Sequence, residues 1–91
     1  MTEVYRDWIN SLKDRTGRAR IQVWVDRLVH GNPGQYRRLT EGVCEFKIDF
    51  GPGYRVYYME RGDEIIILLA GGDKSTQQRD IQKAISLAQN L

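Results

Sequence analysis

The chain has 91 residues, 41% hydrophobic and 29% charged, with a net charge of +2. That is one soluble-type domain, 1–91, with a thin core, burying only roughly 60–65% of its unfolded surface. The composition excludes a strongly basic nucleic-acid binder, a disulfide scaffold (Cys44 is the single cysteine) and a membrane span, the longest apolar run being Ile65 to Ala70.

Charge is unevenly placed. Residues 1–40 carry eight Lys/Arg against four acids, and residues 41–91 carry six against eight. A basic half suits a phosphate-bearing or acidic partner, or simply a solvated helical surface. Met1-Thr-Glu-Val-Tyr-Arg-Asp has no apolar signal region, so a reducing cytoplasm is the expected location.

In chain order, Tyr5, Trp8, Ile9 and Leu12 at helical spacing predict a helix over 3–14, with Thr2 as N-cap. Gly17 marks a break. Ile21, Trp24, Val25 and Leu28 predict a second helix near 18–30, stopped by His30-Gly-Asn-Pro-Gly34, and the two helices should form an antiparallel hairpin. The period then changes to two. In 43–50, Cys44, Phe46, Ile48 and Phe50 take one face, and Val43, Glu45, Lys47 and Asp49 the other.

Gly51-Pro-Gly53 turns the chain into a strand in which Tyr54, Val56 and Tyr58 alternate with Arg55, Tyr57 and Met59. A three-residue turn pairs Phe50 with Tyr54, which sets Asp49 opposite Arg55, Lys47 opposite Tyr57 and Glu45 opposite Met59. Arg61-Gly-Asp-Glu64 is a second turn. Ile65–Ala70 is apolar on both faces and reads as an interior strand. Ser75 with Gln78 fits a capping box opening a helix from about 76, whose Ile81, Ala84, Ile85 and Ala88 should pack on the sheet. The expected fold is α+β: two N-terminal helices on a twisted antiparallel sheet of three to four strands, then a C-terminal helix.

Alternation collects Glu45, Lys47, Asp49, Arg55 and Tyr57 on one sheet face, near Lys74 and a helix start that favours anions. A base and positioned cations are what metal-independent phosphodiester cleavage needs, and an aromatic can hold an unstacked base. The same residues also suit a plain wet sheet face with a cross-strand Asp49–Arg55 ion pair. His30 suits a helix C-terminus, Cys44 a small core residue, and Trp8 and Trp24 the core.

Trp8-Ile-Asn-Ser-Leu-Lys-Asp14, Ala19-Arg-Ile21, Gly31-Asn-Pro-Gly34, Glu41-Gly-Val43, Gly51-Pro-Gly-Tyr-Arg-Val-Tyr57 and Gly71-Gly-Asp-Lys-Ser-Thr-Gln77 form an ordered set. By it the chain resembles the RelE/ParE toxins of type II toxin–antitoxin systems, in the HigB/RelE-like branch of addiction-module killer proteins. The resemblance implies a ribosome-dependent mRNA endoribonuclease that needs no metal or other cofactor, with a ParE-like gyrase inhibitor without nuclease activity as the alternative. It implies a helix-turn-helix antitoxin as partner, the ribosome and mRNA as targets, operator DNA contacted only through the antitoxin, and no membrane.

Carried onto this sequence, the resemblance makes Glu45 the general base, Arg55 the phosphate clamp and Lys47 the transition-state stabiliser. Arg37, Arg38, Tyr57, Lys74 and Arg79 become RNA contacts. No residue matches the relatives' tyrosine or histidine near the last helix, so the general acid is unassigned. Relatives also begin with a short strand, for which Met1-Thr-Glu-Val leaves no room, so an open sheet edge is expected, shielded by the antitoxin or a second copy.

Overall fold

The computed structural model describes residues 1–32, 34–62 and 65–91, with Ile65 by its backbone alone. Pro33 and the Asp63–Glu64 half of the second turn lie outside the described residues. The elements run α1 (Glu3–Ser11), α2 (Arg15–Val29), β1 (Tyr36–Arg38), β2 (Val43–Ile48), β3 (Tyr54–Arg61), β4 (Ile65–Gly72), a 3₁₀ turn (Lys74–Thr76) and α3 (Gln77–Gln89). The sheet is an antiparallel meander in the order β1-β2-β3-β4.

The α+β expectation holds, and the sheet is the middle of three layers. On one face, Tyr5 and Ile9 of α1 and Ile21 and Leu28 of α2 meet Phe46, Ile48, Val56 and Tyr58. On the other, Ile81 and Ala84 of α3 meet Val43, Tyr57, Leu69 and Ala70. Each face therefore has its own hydrophobic reason to be covered.

Several local expectations change. Thr2 does cap α1, accepting from the Tyr5 amide. Gly17 is not the break: Asp14 caps α2 by accepting from the Gly17 amide at 2.9 Å, and Gly17 lies buried in the first turn. An added Cβ there would sit 2.6 Å from the Tyr54 ring, and Tyr54 in turn donates its hydroxyl to Asp14. The two helices do not pack principally on one another; α1 lies on β4 and α2 on β2. Ser75 does not build a capping box either. Asp73 accepts from the Ser75 amide and hydroxyl, and the 3₁₀ turn then leads into α3.

The hairpin register is corrected by two residues. Ile48, not Phe50, pairs with Tyr54, so Lys47 faces Arg55, Glu45 faces Tyr57 and Val43 faces Met59. The connection is five residues, 49–53, with Gly51 at φ +56° and Gly53 at φ +77°, conformations that favour glycine. Phe50 leaves the strand and lies under the Arg20 guanidinium. A slip of two keeps every side chain on its expected face, because the strand period is two.

β4 is an edge strand, not an interior one. Its apolar faces reflect cover by α1 and α3, not flanking strands on both sides. A bulge at Tyr57/Tyr58 pairs Ala70 with Tyr57 and Leu68 with Tyr58, and Leu69 is the extra residue. It joins Ala70 in the α3-side core, while Leu68 joins the other. The expected open edge is partly closed by Thr2. Its amide donates to the Leu68 carbonyl at 3.0 Å and its hydroxyl to the Leu69 carbonyl.

Candidate active site

The α3-side face of β2 and β3 carries Glu45, Lys47, Arg55 and Tyr57, and α3 begins above it. Glu45 is the hub. It is only 5% exposed, although a carboxylate is costly to bury without donors. Arg37, its cross-strand partner on β1, donates Nε to Oε1 at 2.8 Å, and Gln77 from the first turn of α3 donates Nε2 to Oε2 at 3.0 Å. Arg55 Nε stands 3.9 Å from Oε2.

Arg55 is 7% exposed. One of its terminal nitrogens donates to the Gly53 carbonyl at 2.7 Å, so the tight turn fixes the guanidinium. Its Nε–H and the Tyr57 hydroxyl are buried polar groups without a hydrogen-bond partner among the described residues. Such groups normally find partners, and their concentration around one carboxylate marks a strained polar cluster.

The cluster is not sealed. Arg37, Glu45, Lys47, Arg55 and Gln77 line a cavity of about 620 Å³. Across the Lys47–Arg55 ridge lies a second cavity of about 340 Å³, bounded by the 49–53 loop and Lys74. Lys47 also stands 3.2 Å from Asp49.

Burial alone would push the Glu45 pKa up. Hydrogen bonds from Arg37 and Gln77, with the Arg37 charge, outweigh it and hold the carboxyl below its ordinary value. Tyr57 moves the other way, raised first by burial and then by the neighbouring Glu45 charge. Glu45 is thus an anion and Tyr57 a neutral phenol at neutral pH.

A carboxyl with a depressed native pKa stabilises the fold above its unfolded value, about 4.3, and that stability is lost as pH falls through the native pKa. We expect Glu45→Gln to remove part of the acid destabilisation below about pH 4.3, read as a flatter dependence of the urea midpoint on pH. An unchanged slope would show that Glu45 titrates alike in both states.

The sequence-derived residues divide. Glu45, Lys47 and Arg55 come together, with Arg37 beside them and Lys74 across the ridge. Tyr57 is fully buried and offers no open stacking surface. Arg38 pairs with Cys44 on β2, one residue out of step with Arg37, which directs it to the opposite face. Arg79 lines a separate groove with Trp8, Asp80 and Lys83. His30 is at the end of α2, its Nδ1 2.7 Å from the Asp26 carbonyl, and Cys44 is half-buried on the α1/α2 side.

Gln77 was missed. Gln77 could have been found as a polar residue in the first turn of a helix laid over the sheet. Among the described residues, no three His, Cys, Asp or Glu side chains gather as a metal-binding group, and no helix is long and apolar enough to cross a membrane.

The family described as Phage derived protein Gp49-like (DUF891) matches residues 7–91. A protein of Haemophilus influenzae (strain Rd), described only as uncharacterized, is 42% identical over 90 residues, covering 99% of this chain and 91% of that protein. No solved structure matches significantly. On a match spanning all but the first six residues, the chain belongs to the Gp49-like family of phage-derived proteins.

Proposed function

We propose that this chain is the toxin of a type II toxin–antitoxin pair, a HigB/RelE-like member of the RelE/ParE superfamily that cleaves mRNA on the ribosome without a metal. The observation that carries the reading is the meeting of Glu45, Lys47 and Arg55 in one cavity, on a face where the sheet could have been wholly apolar. Membership of a phage-derived family suits a mobile addiction module. A helix-turn-helix antitoxin, the ribosome and mRNA are its proposed partners, in the cytoplasm.

In the proposed reaction a ribose 2′-oxygen attacks the adjacent phosphorus and gives its proton to Glu45. Arg55 and Lys47 stabilise the charge that builds on the phosphoryl oxygens, and the 5′-oxygen leaves, protonated by Lys47 or solvent. The products are a 2′,3′-cyclic phosphate and a 5′-hydroxyl. Gln77 has no ionisable proton and serves to orient Glu45.

A base is most effective with a pKa near the working pH, whereas Glu45 is held low by Arg37. An incoming phosphate competes for Arg37, which is 57% exposed at the side chain, and its transfer from Oε1 to the substrate frees Glu45 as a base.

In a reconstituted translation reaction, the wild-type protein is expected to produce discrete cuts in ribosome-bound transcripts, mapped by primer extension, in the presence of a chelator. Intact transcripts together with arrested gyrase supercoiling would replace the nuclease reading with the ParE-like one.

A further inference from the structure

We propose that the outer face of α2 is a docking surface for an acidic amphipathic helix of a partner protein. The surface lies on the opposite side of the sheet from the Glu45 cavity, and the inference stands independently of the nuclease reading.

α2 has two stripes. One, with Ile21 and Leu28, is buried on the sheet. The other, Thr16, Ala19, Arg20, Val23, Trp24 and Arg27, follows the spacing i, i+3, i+4, i+7, i+8, i+11 and bounds a shallow groove of about 390 Å³. Those intervals place the six residues along one face of about three helical turns. At the groove's centre Val23 is 50% exposed, beside the half-buried Trp24.

Two arginines flank Val23 along the groove, and both are held in place. The Arg20 guanidinium lies 4.8 Å over the Phe50 ring, and that of Arg27 lies 4.7 Å over Trp24. Neither arginine forms a salt bridge among the described residues, and α2 carries four arginines against one acid. Stacking fixes each planar fork while leaving its N–H groups free for a carboxylate.

Charge complementarity defines the occupant. Arg20 and Arg27 are seven residues apart, about 10.5 Å along the axis, which is also the separation of two carboxylates seven residues apart on another helix. An apolar residue between those carboxylates would meet Val23 and Trp24. An apolar centre with arginines and a tryptophan is the composition of a protein interface core, whereas RNA would use the arginines and ignore the valine.

The test uses fluorescence anisotropy of a labelled helical peptide of about eighteen residues with glutamates seven apart and leucines between them. Its comparators are a scrambled peptide, a peptide with lysines in place of the glutamates, and a uridine oligonucleotide. The acidic peptide is expected to bind in preference to its scramble. The double variant R20E/R27E should weaken it at least about tenfold and accept the lysine peptide instead, as charge reversal across an interface predicts. Val23→Ser, at a half-exposed position that leaves the core intact, should also weaken it.

No preference for the acidic peptide over its scramble overturns the proposal. So does oligonucleotide binding that is lost in R20E/R27E but indifferent to Val23→Ser, which would make the face an RNA contact. Self-association of the chain through this face, seen by sedimentation and abolished by Val23→Ser, overturns it in favour of a second copy.

Discussion

Arg55→Ala is expected to reduce the proposed mRNA cleavage at least about tenfold, and as much as about 10²–10³-fold, the usual cost of removing a preorganised donor from a developing anion. Arg55 is held by the Gly53 carbonyl and borders both cavities, so its donors are in place before any phosphate arrives. The fold should survive. Glu45 keeps its bonds to Arg37 and Gln77, and the lost arginine leaves no carboxylate without a donor.

Arg55→Lys should recover only part of the activity, since an ammonium keeps the charge but not the planar fork. Cleavage rate and thermal midpoint measured on the same preparations separate the two effects. Cleavage by Arg55→Ala within about threefold of wild type, against the 10²–10³ expected of such a donor, would remove Arg55 from the chemistry. A collapse of the thermal midpoint would instead make it a structural residue.

Gly71→Ala should be strongly destabilising, although alanine is ordinarily favourable in a strand compared with glycine. The Gly71 backbone is not left-handed; the obstacle is space. A Cβ there would collide with the Trp8 indole, whose Cδ2 would be 2.7 Å away. Trp8 cannot step aside freely, because it sits between Tyr5 and Tyr54 with ring centroids at 5.8 and 6.4 Å.

Relief therefore requires lifting α1 from β4, and overpacking of this kind costs about 1–3 kcal/mol. In a domain of this size each kcal/mol lowers the melting temperature by roughly 4–8 °C. In a Trp8→Ala background the same substitution should cost much less, because the clash is gone and residues in contact are not additive. Equal costs in both backgrounds would show that the indole is not what excludes a side chain at Gly71.

How much of this was readable from the chain follows from the range of the forces involved. Alternation along 43–48 and 54–59 assigned Glu45, Lys47, Arg55 and Tyr57 to one face and Phe46, Ile48, Val56 and Tyr58 to the other. Those assignments hold despite the two-residue error in register. Face is a property of one strand and its period. Register depends on the loop, and Phe50 leaves the strand to lie beneath Arg20, a residue thirty positions earlier. The apolarity of 65–70 likewise reported two covered faces correctly, but lateral position in the sheet is set by pairing, and pairing leaves no mark on a strand's own composition.

The amino-acid sequence by itself determined the helices, the alternating strands, the side of the sheet on which each charged residue stands, and the α+β class, because each follows from spacing over a few residues. Only the tertiary structure decided that Arg37 and Gln77, from the short β1 strand and the start of α3, converge on Glu45, that Tyr57 is closed off beneath α3, and that Arg79 serves a different groove. Those outcomes depend on residues far apart in the chain, Gln77 and Glu45 being 32 positions apart, that meet only when the layers close. A buried carboxylate takes whichever donors the finished packing brings within reach.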